Sequence, residues 1–314
     1  MVIRRQPCRV RRAAILLSLL VCLAAGPALY PGAAVNASTG ATTELSLQRT
    51  IQMTPFVRSD VSMRDSEGSA YVRRDNALWL VDDNAQRIYI VNPSTGELKR
   101  VIGSRTLAAV RRYRGTQKAG AARIRDLESA AYDAARDRMY VFAGNGCYPS
   151  AENCQIRSRP TAFRFDRVSE RLRPHSFQPL WWAGADPTAA AWNPADEKVY
   201  IGKARTIRPY SFTRNRRGAK IPRIDTMHEI LGMDFNARGT ALWVVHHTHN
   251  LSRVDWETKT RPGWPRDLTG FGVGDARAVE QIGGKLFISD GYDHHPENSP
   301  LRYAVFVFEL TSSG

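Results

Sequence analysis

Six acidic residues, Glu67, Asp82, Glu128, Asp186, Asp275 and Asp290, recur at matching distances around a set of repeated apolar positions. Carboxylates that converge on one point repel unless a proton or a cation neutralises them. Hard oxygen ligands of this kind suit calcium or magnesium, and calcium is the cofactor expected here. The competing reading gives each acid a local task, capping its own turn or pairing with a nearby arginine. Histidines offer a second chemistry. His246, His247 and His249 form one group, and the run from Ser289 to His295 joins Asp290 and Asp293 to His294 and His295. Such residues could ligate a transition metal or serve as general bases. Alternate residues of a strand face opposite ways, so a regular strand aims only one of His246 and His247 at a given site. The plainer alternative makes them loop histidines at a hairpin mouth. The run Ser289 to His295 is the best single candidate for a functional loop. The chain carries no nucleophile elbow, phosphate-binding glycine loop or zinc-protease helix, so no residue is assigned as catalytic.

These residues need elements that bring them together, and an internal repeat supplies them. Five times an apolar or aromatic residue is followed seven positions later by an apolar residue that opens a β-prone run. The pairs are Tyr71 and Leu78, Tyr132 and Met139, Trp192 and Val199, Phe235 and Leu242, and Val279 and Leu286. A polar turn separates the members of each pair. Small residues, Ala70, Ala131, Ala191 and Ala278, precede four of the five first positions, as a crowded inner strand requires. Strand, turn and strand, repeated along the chain, predict an all-β fold, a β-propeller. Five blades are expected, or six if a degenerate blade hides in an insertion. The last unit lacks a fourth strand, and Glu44 to Met53 is a β-prone segment with no unit of its own. This segment is expected to complete the last blade and close the ring, which protects the sheet edges.

Aligned without gaps, the repeat puts Glu67, Glu128, Thr188, Leu231 and Asp275 four positions before the first member of each pair. Asp65, Asp126, Asp186, Glu229 and Val273 fall six before, and Asp82, Ala143, Lys203, His246 and Asp290 eleven after. Equivalent positions of a propeller converge on its axis, so acids at the strand starts would ring one mouth of the channel.

The pattern Asp65-Ser66-Glu67-Gly68-Ser69-Ala70-Tyr71, a turn, then Leu78-Trp79-Leu80-Val81-Asp82 resembles the calcium-binding propellers of the gluconolactonase and regucalcin group. It is also similar to the related secreted propellers called SdiA-regulated or phytase-like esterase proteins. The likeness spans about residues 65 to 310. It implies a bound calcium, with Glu67 or Glu128 as the glutamate at the start of a blade and Asp82 or Asp290 as the aspartate that ends a second strand. The family's asparagine ligand is not matched, because Thr188 and Leu231 stand at its place.

Residues 1–37 read as a signal peptide. Arg4, Arg5, Arg9, Arg11 and Arg12 form a basic head, and Ala13 to Ala25 is an apolar run too short to span a bilayer comfortably. Val35-Asn36-Ala37 is the expected cleavage site. Arg11-Arg12 leaves twin-arginine export open beside the general route. Residues 38–314 then form one propeller domain in a secreted or extracytoplasmic setting, with no transmembrane segment of its own. Cys147 and Cys154 are the cysteines left after cleavage, and an oxidising compartment would pair them as a disulfide. The chain carries a net charge of +15. Basic residues bunch in Arg105 to Arg125 and Lys203 to Arg223, which read as solvated loops or, in the sharper alternative, as contacts for an anionic envelope polymer, lipid headgroups or nucleic acid. Neither stretch interleaves aromatic residues as a strand-binding surface would, so a nucleic-acid partner is not expected. The functional expectation is an exported propeller that presents a ligand- or partner-binding site at its channel mouth, with or without a divalent cation. The ligand would be a small molecule or an envelope component. The alternative is a metal-dependent hydrolase of a lactone, ester or phosphoester, and fold alone does not decide between them.

Overall fold

A computed structural model describes residues 42–53, 66–83, 85, 87–103, 126–144, 160–168, 171–179, 187–212, 214, 216–221, 228–261, 263–291, 295–296, 299, 301 and 303–313. The first strand among the described residues is β1 (Thr42–Ile51). The first blade follows as β2 (Ser66–Val72), β3 (Ala77–Asp82), β4 (Arg87–Val91) and β5 (Leu98–Ile102). The second is β6 (Leu127–Asp133), β7 (Arg138–Ala143), β8 (Thr161–Asp166) and β9 (Arg171–Pro179). The third is β10 (Ala189–Asn193), β11 (Lys198–Lys203), β12 (Thr206–Ser211) and β13 (Arg216–Arg217). The fourth is β14 (Ile230–Phe235), β15 (Ala241–His246), β16 (Asn250–Asp255) and β17 (Arg266–Asp267). The fifth is β18 (Ala276–Ile282), β19 (Lys285–Asp290) and β20 (Val305–Ser313). Each blade is a four-stranded antiparallel sheet, and β1 adds to β20 as the outer strand of the fifth. The chain is thus a five-bladed β-propeller closed by its N-terminal strand, and the five-blade reading holds over six.

Strand alternation explains why the ring is stable. Every residue of β3 is buried. Trp79 and Val81 pack toward the second blade, whereas Leu78 and Leu80 pack toward the fifth. In β7, Met139 and Val141 face the first blade, and Tyr140 and Phe142 face the third. In β15, Leu242 and Val244 face the third blade, and Trp243 and Val245 the fifth. Successive side chains of a strand point to opposite faces, so a continuous apolar run is required where both faces are covered. The core is therefore five apolar layers, one between each pair of neighbouring blades. The layer between the first and fifth blades includes Ile51 and Met53, which seals the ring.

The inner strands approach one another at a ring of small residues: Gly68, Ser129, Ala189, Gly232 and Ala278. A Cβ on Gly68 would lie 2.5 Å from Ser129 Cα, and one on Gly232 would lie 2.7 Å from Ala278 Cα. Only glycine permits that approach. The throat of the channel encloses about 10 Å³.

The register corrects the gap-free alignment in the fifth blade. Tyr71 faces Leu78, Tyr132 faces Met139, Trp192 faces Val199 and Phe235 faces Leu242. In the fifth blade Gln281 faces Leu286, and Val279 faces Ile288. The cause is the turn. Gly283 stands at φ 63 in a two-residue hairpin, shorter than the other four. Gln281, not Val279, is the fifth counterpart of Tyr71. Every equivalence counted back from it moves by two residues. Asp275 therefore belongs with Asp126 and Glu229, and the counterpart of Glu67 and Glu128 is Arg277. Each of Glu67, Glu128, Leu231 and Arg277 is the extra residue of a β-bulge at the start of an inner strand.

Candidate functional site

The channel has two mouths, one at the bulges and one at the hairpins between first and second strands. At the bulge mouth Arg277 joins Glu67 to Asp275, and Asp290, bonded to the Asp275 backbone, pairs with His295. Arg277 Nη1 donates to both Glu67 carboxylate oxygens, at 3.0 and 3.1 Å, and Arg277 Nε donates to Asp275 Oδ2 at 2.6 Å. Asp290 is fully buried. It accepts from the Gly274 N–H at 3.1 Å and the Asp275 N–H at 2.5 Å, and lies 2.6 Å from His295 Nε2. Burial pushes the Asp290 carboxyl up, against the opposing pull of these donors. Guanidinium is thus the cation between Glu67 and Asp275, supplied by the chain itself.

The other residues singled out by the sequence lie apart or have local tasks. Asp82 accepts the Ala85 N–H at 2.7 Å and is fully buried at the end of β3. Glu128 occupies the bulge of the second blade. His246 is 2% exposed, with Nε2 3.0 Å from Ser252 Oγ. Its Nδ1 has no hydrogen-bond partner among the described residues. Burial, with the charges of Arg261 and His228, depresses its pKa to about 4, so the ring is neutral. His247 is exposed and its backbone N–H donates to the Glu229 carbonyl at 3.1 Å, so the two histidines diverge as strand alternation requires. Asp186, Asp293, His294, Cys147 and Cys154 lie outside the described residues. Among the described residues, no group of three or more His, Cys, Asp and Glu is placed to hold a metal ion.

At the hairpin mouth a cavity of about 360 Å³ opens toward solvent and ends at the small-residue throat. Its floor is the ring of residues that precede the paired aromatic positions. In three blades these are Ala70, Ala131 and Ala191, and in the fourth and fifth they are Asp234 and Glu280. Tyr71, Tyr132, Trp192 and Phe235 stand above the floor as the wall. Each acid reaches across to the next blade. Asp234 Oδ2 accepts the Gln281 N–H at 2.7 Å. Glu280 Oε2 accepts the Tyr71 N–H at 3.0 Å, and its Oε1 accepts from Ser69 Oγ at 3.1 Å. Gln281 and Tyr71 are equivalent residues, so the two acids repeat one interaction in successive blades. They satisfy backbone donors of inner strands that have no further strand beside them.

Desolvation dominates the chemistry of this pair. It raises the Asp234 carboxyl to about 7, despite the backbone donors that stabilise its anion. Glu280 is also raised well above the usual range, first by burial and then by the charge of Asp234. Two carboxyls that resist ionising together hold a proton near neutral pH, or hold a cation in its place. Sequence reasoning missed both. Asp234 breaks the run of alanines, and Glu280 joins it only when Leu286 is counted back across the short Gly283-Gly284 turn.

No family model matches the chain, and no curated protein matches it. Among solved structures, one described as "Structure of U3-55K" is similar, with a TM-score of 0.46 and 9% identity over 83% of this chain and 98% of that chain. At that level of likeness the sheet topology, rather than the neighbour, carries the fold assignment.

Proposed function

We propose that this propeller is a binding protein that takes a small organic cation, an amine or quaternary ammonium group, into the hairpin-side mouth of its channel. The observation that carries this reading is the solvent-open cavity with Asp234 and Glu280 on its floor and four aromatic residues in its wall. Its volume lies in the range of small-molecule sites, which runs from about 300 to 1,000 Å³. Aromatic faces attract cations through the ring quadrupole. A bound cation would also relieve the repulsion between the two carboxyls and lower their affinity for protons. The signal-like segment over residues 1–37 supports an exported setting.

Trp192 lines the cavity and reports on it. Choline, tetramethylammonium and spermidine, titrated at pH 8 while tryptophan fluorescence is followed, should include at least one saturable ligand. Binding should weaken as pH falls below about 7, and Asp234→Asn with Glu280→Gln should abolish it while the melting transition stays cooperative. A panel without a saturable ligand, or binding untouched by the double substitution, overturns the reading. Calcium-dependent hydrolysis of a lactone or ester by the same preparation would put the hydrolase in its place.

A further inference from the structure

A second cavity, of about 640 Å³, lies between the second and third blades on the outer side of the ring. Its floor is aromatic. Phe212 stacks on Tyr140 with ring centroids 3.7 Å apart and meets Tyr210 edge-on at 4.6 Å. Its lining is strongly basic: Arg136, Arg138, Lys198, Arg214, Arg216 and Arg217 face two acids, Asp133 and Glu197. One arginine engages both acids, because Arg136 bonds Asp133 at 3.1 Å and Glu197 at 3.4 Å. Lys198 pairs with Asp196 at 3.1 Å, outside the lining. Arg214 and Arg216 are exposed and have no charged partner among the described residues.

Arginines spread over a convex loop are simply solvated. Arginines gathered around a concavity repel one another, and the low-dielectric walls concentrate their field on whatever enters. Their planar forks match phosphate oxygens two at a time, which an ammonium does not. We infer that this cavity is a binding site for a phosphate-bearing small molecule carrying more than one negative charge, of up to mononucleotide size. The cavity is separate from the channel mouth and independent of what binds there.

The test is calorimetric titration with inorganic pyrophosphate and with a magnesium-free nucleoside triphosphate, in about 50 mM salt, where surface electrostatics are only partly screened. Both ligands should saturate one site. Arg138→Ala with Arg216→Ala should weaken binding by about tenfold or more, and the lysine versions of the same pair should restore only part of it. A control that removes equal charge elsewhere, Arg238→Ala with Lys285→Ala, should leave the affinity unchanged, as should Asp234→Asn. Absence of saturable binding overturns the proposal. Equal weakening by both double variants overturns it too, since net charge alone would then be responsible. Binding of long polyphosphate or DNA without competition by pyrophosphate would assign the patch to a polymer and would also overturn it.

Discussion

Arg277 occupies in the fifth blade the bulge position that Glu67 occupies in the first, and its guanidinium holds both oxygens of the Glu67 carboxylate at 3.0 and 3.1 Å. The two ends of the repeat therefore meet as an ion pair across the closure of the ring. With its third donor on Asp275, Arg277 does for two carboxylates what a bound cation would otherwise do.

Arg277→Met should destabilise the propeller by about 2 kcal/mol at pH 7, because it leaves two largely buried carboxylates without their counter-charge. Urea unfolding measures this. Arg277→Lys, which keeps a positive charge, should lose less. An equal loss in both variants would show that the fork geometry of the guanidinium, not its charge alone, matters.

Gly232→Ala should cost about 1–3 kcal/mol through overpacking. The added methyl would meet the Arg277 carbonyl at 2.6 Å and Ala278 Cα at 2.7 Å, both backbone atoms of the neighbouring blade. Gly103→Ala is the control, since nothing lies within 4 Å of a Cβ at that glycine. Thermal melts of the two variants should separate clearly.

Asp234 and His246 should give opposite pH dependences. The folded Asp234 carboxyl titrates at about 7, above its unfolded value of 3.8, so the folded state binds the extra proton between them. Its contribution is full at low pH and is lost as pH rises through 7. His246 is depressed from 6.5 to about 4, so the unfolded state binds the extra proton in that window, and stability is lost as pH falls through it. Asp234→Asn should raise the melting temperature at pH 8 by about 2–4 °C, the response to roughly 1 kcal/mol, and have little effect at pH 4. His246→Asn should flatten the acid limb of the stability curve between pH 6.5 and 4. Melting curves across pH 4 to 8 test both.

Removing residues 1–53 should open the ring. The deletion strips β1 from β20 and takes Ile51 and Met53 out of the layer between the first and fifth blades. Two buried apolar side chains at roughly 2–5 kcal/mol each, together with an uncovered sheet edge, should abolish cooperative unfolding. A peptide of residues 42–53 added in trans should restore it by pairing with the exposed edge. A truncated chain that melts like the parent would refute closure by β1.

The sequence by itself determined the two inner strands of each blade, the order of the blades and the ring. Apolar runs such as Leu78 to Val81 and Leu242 to Val245 can be buried on both faces only between sheets, and alternation of side chains fixes which face each residue serves. The missing fourth strand of the last unit determined the part played by β1. Tertiary structure decided the site. Counting from Val279 assumed that every hairpin had one length, and Gly283-Gly284 shortens the fifth by two residues. That step moved Asp275 out of the Glu67 set, put Arg277 into it, and aligned Glu280 with Asp234. A carboxylate at one repeat position looks like any other in sequence. Its partner lies on the next blade, as Arg277 lies from Glu67 by 210 residues and the Tyr71 N–H from Glu280 by 209. Charge neutralisation acts through space, so only the closed ring could show which acids had already found a cation and which two were left sharing a cavity.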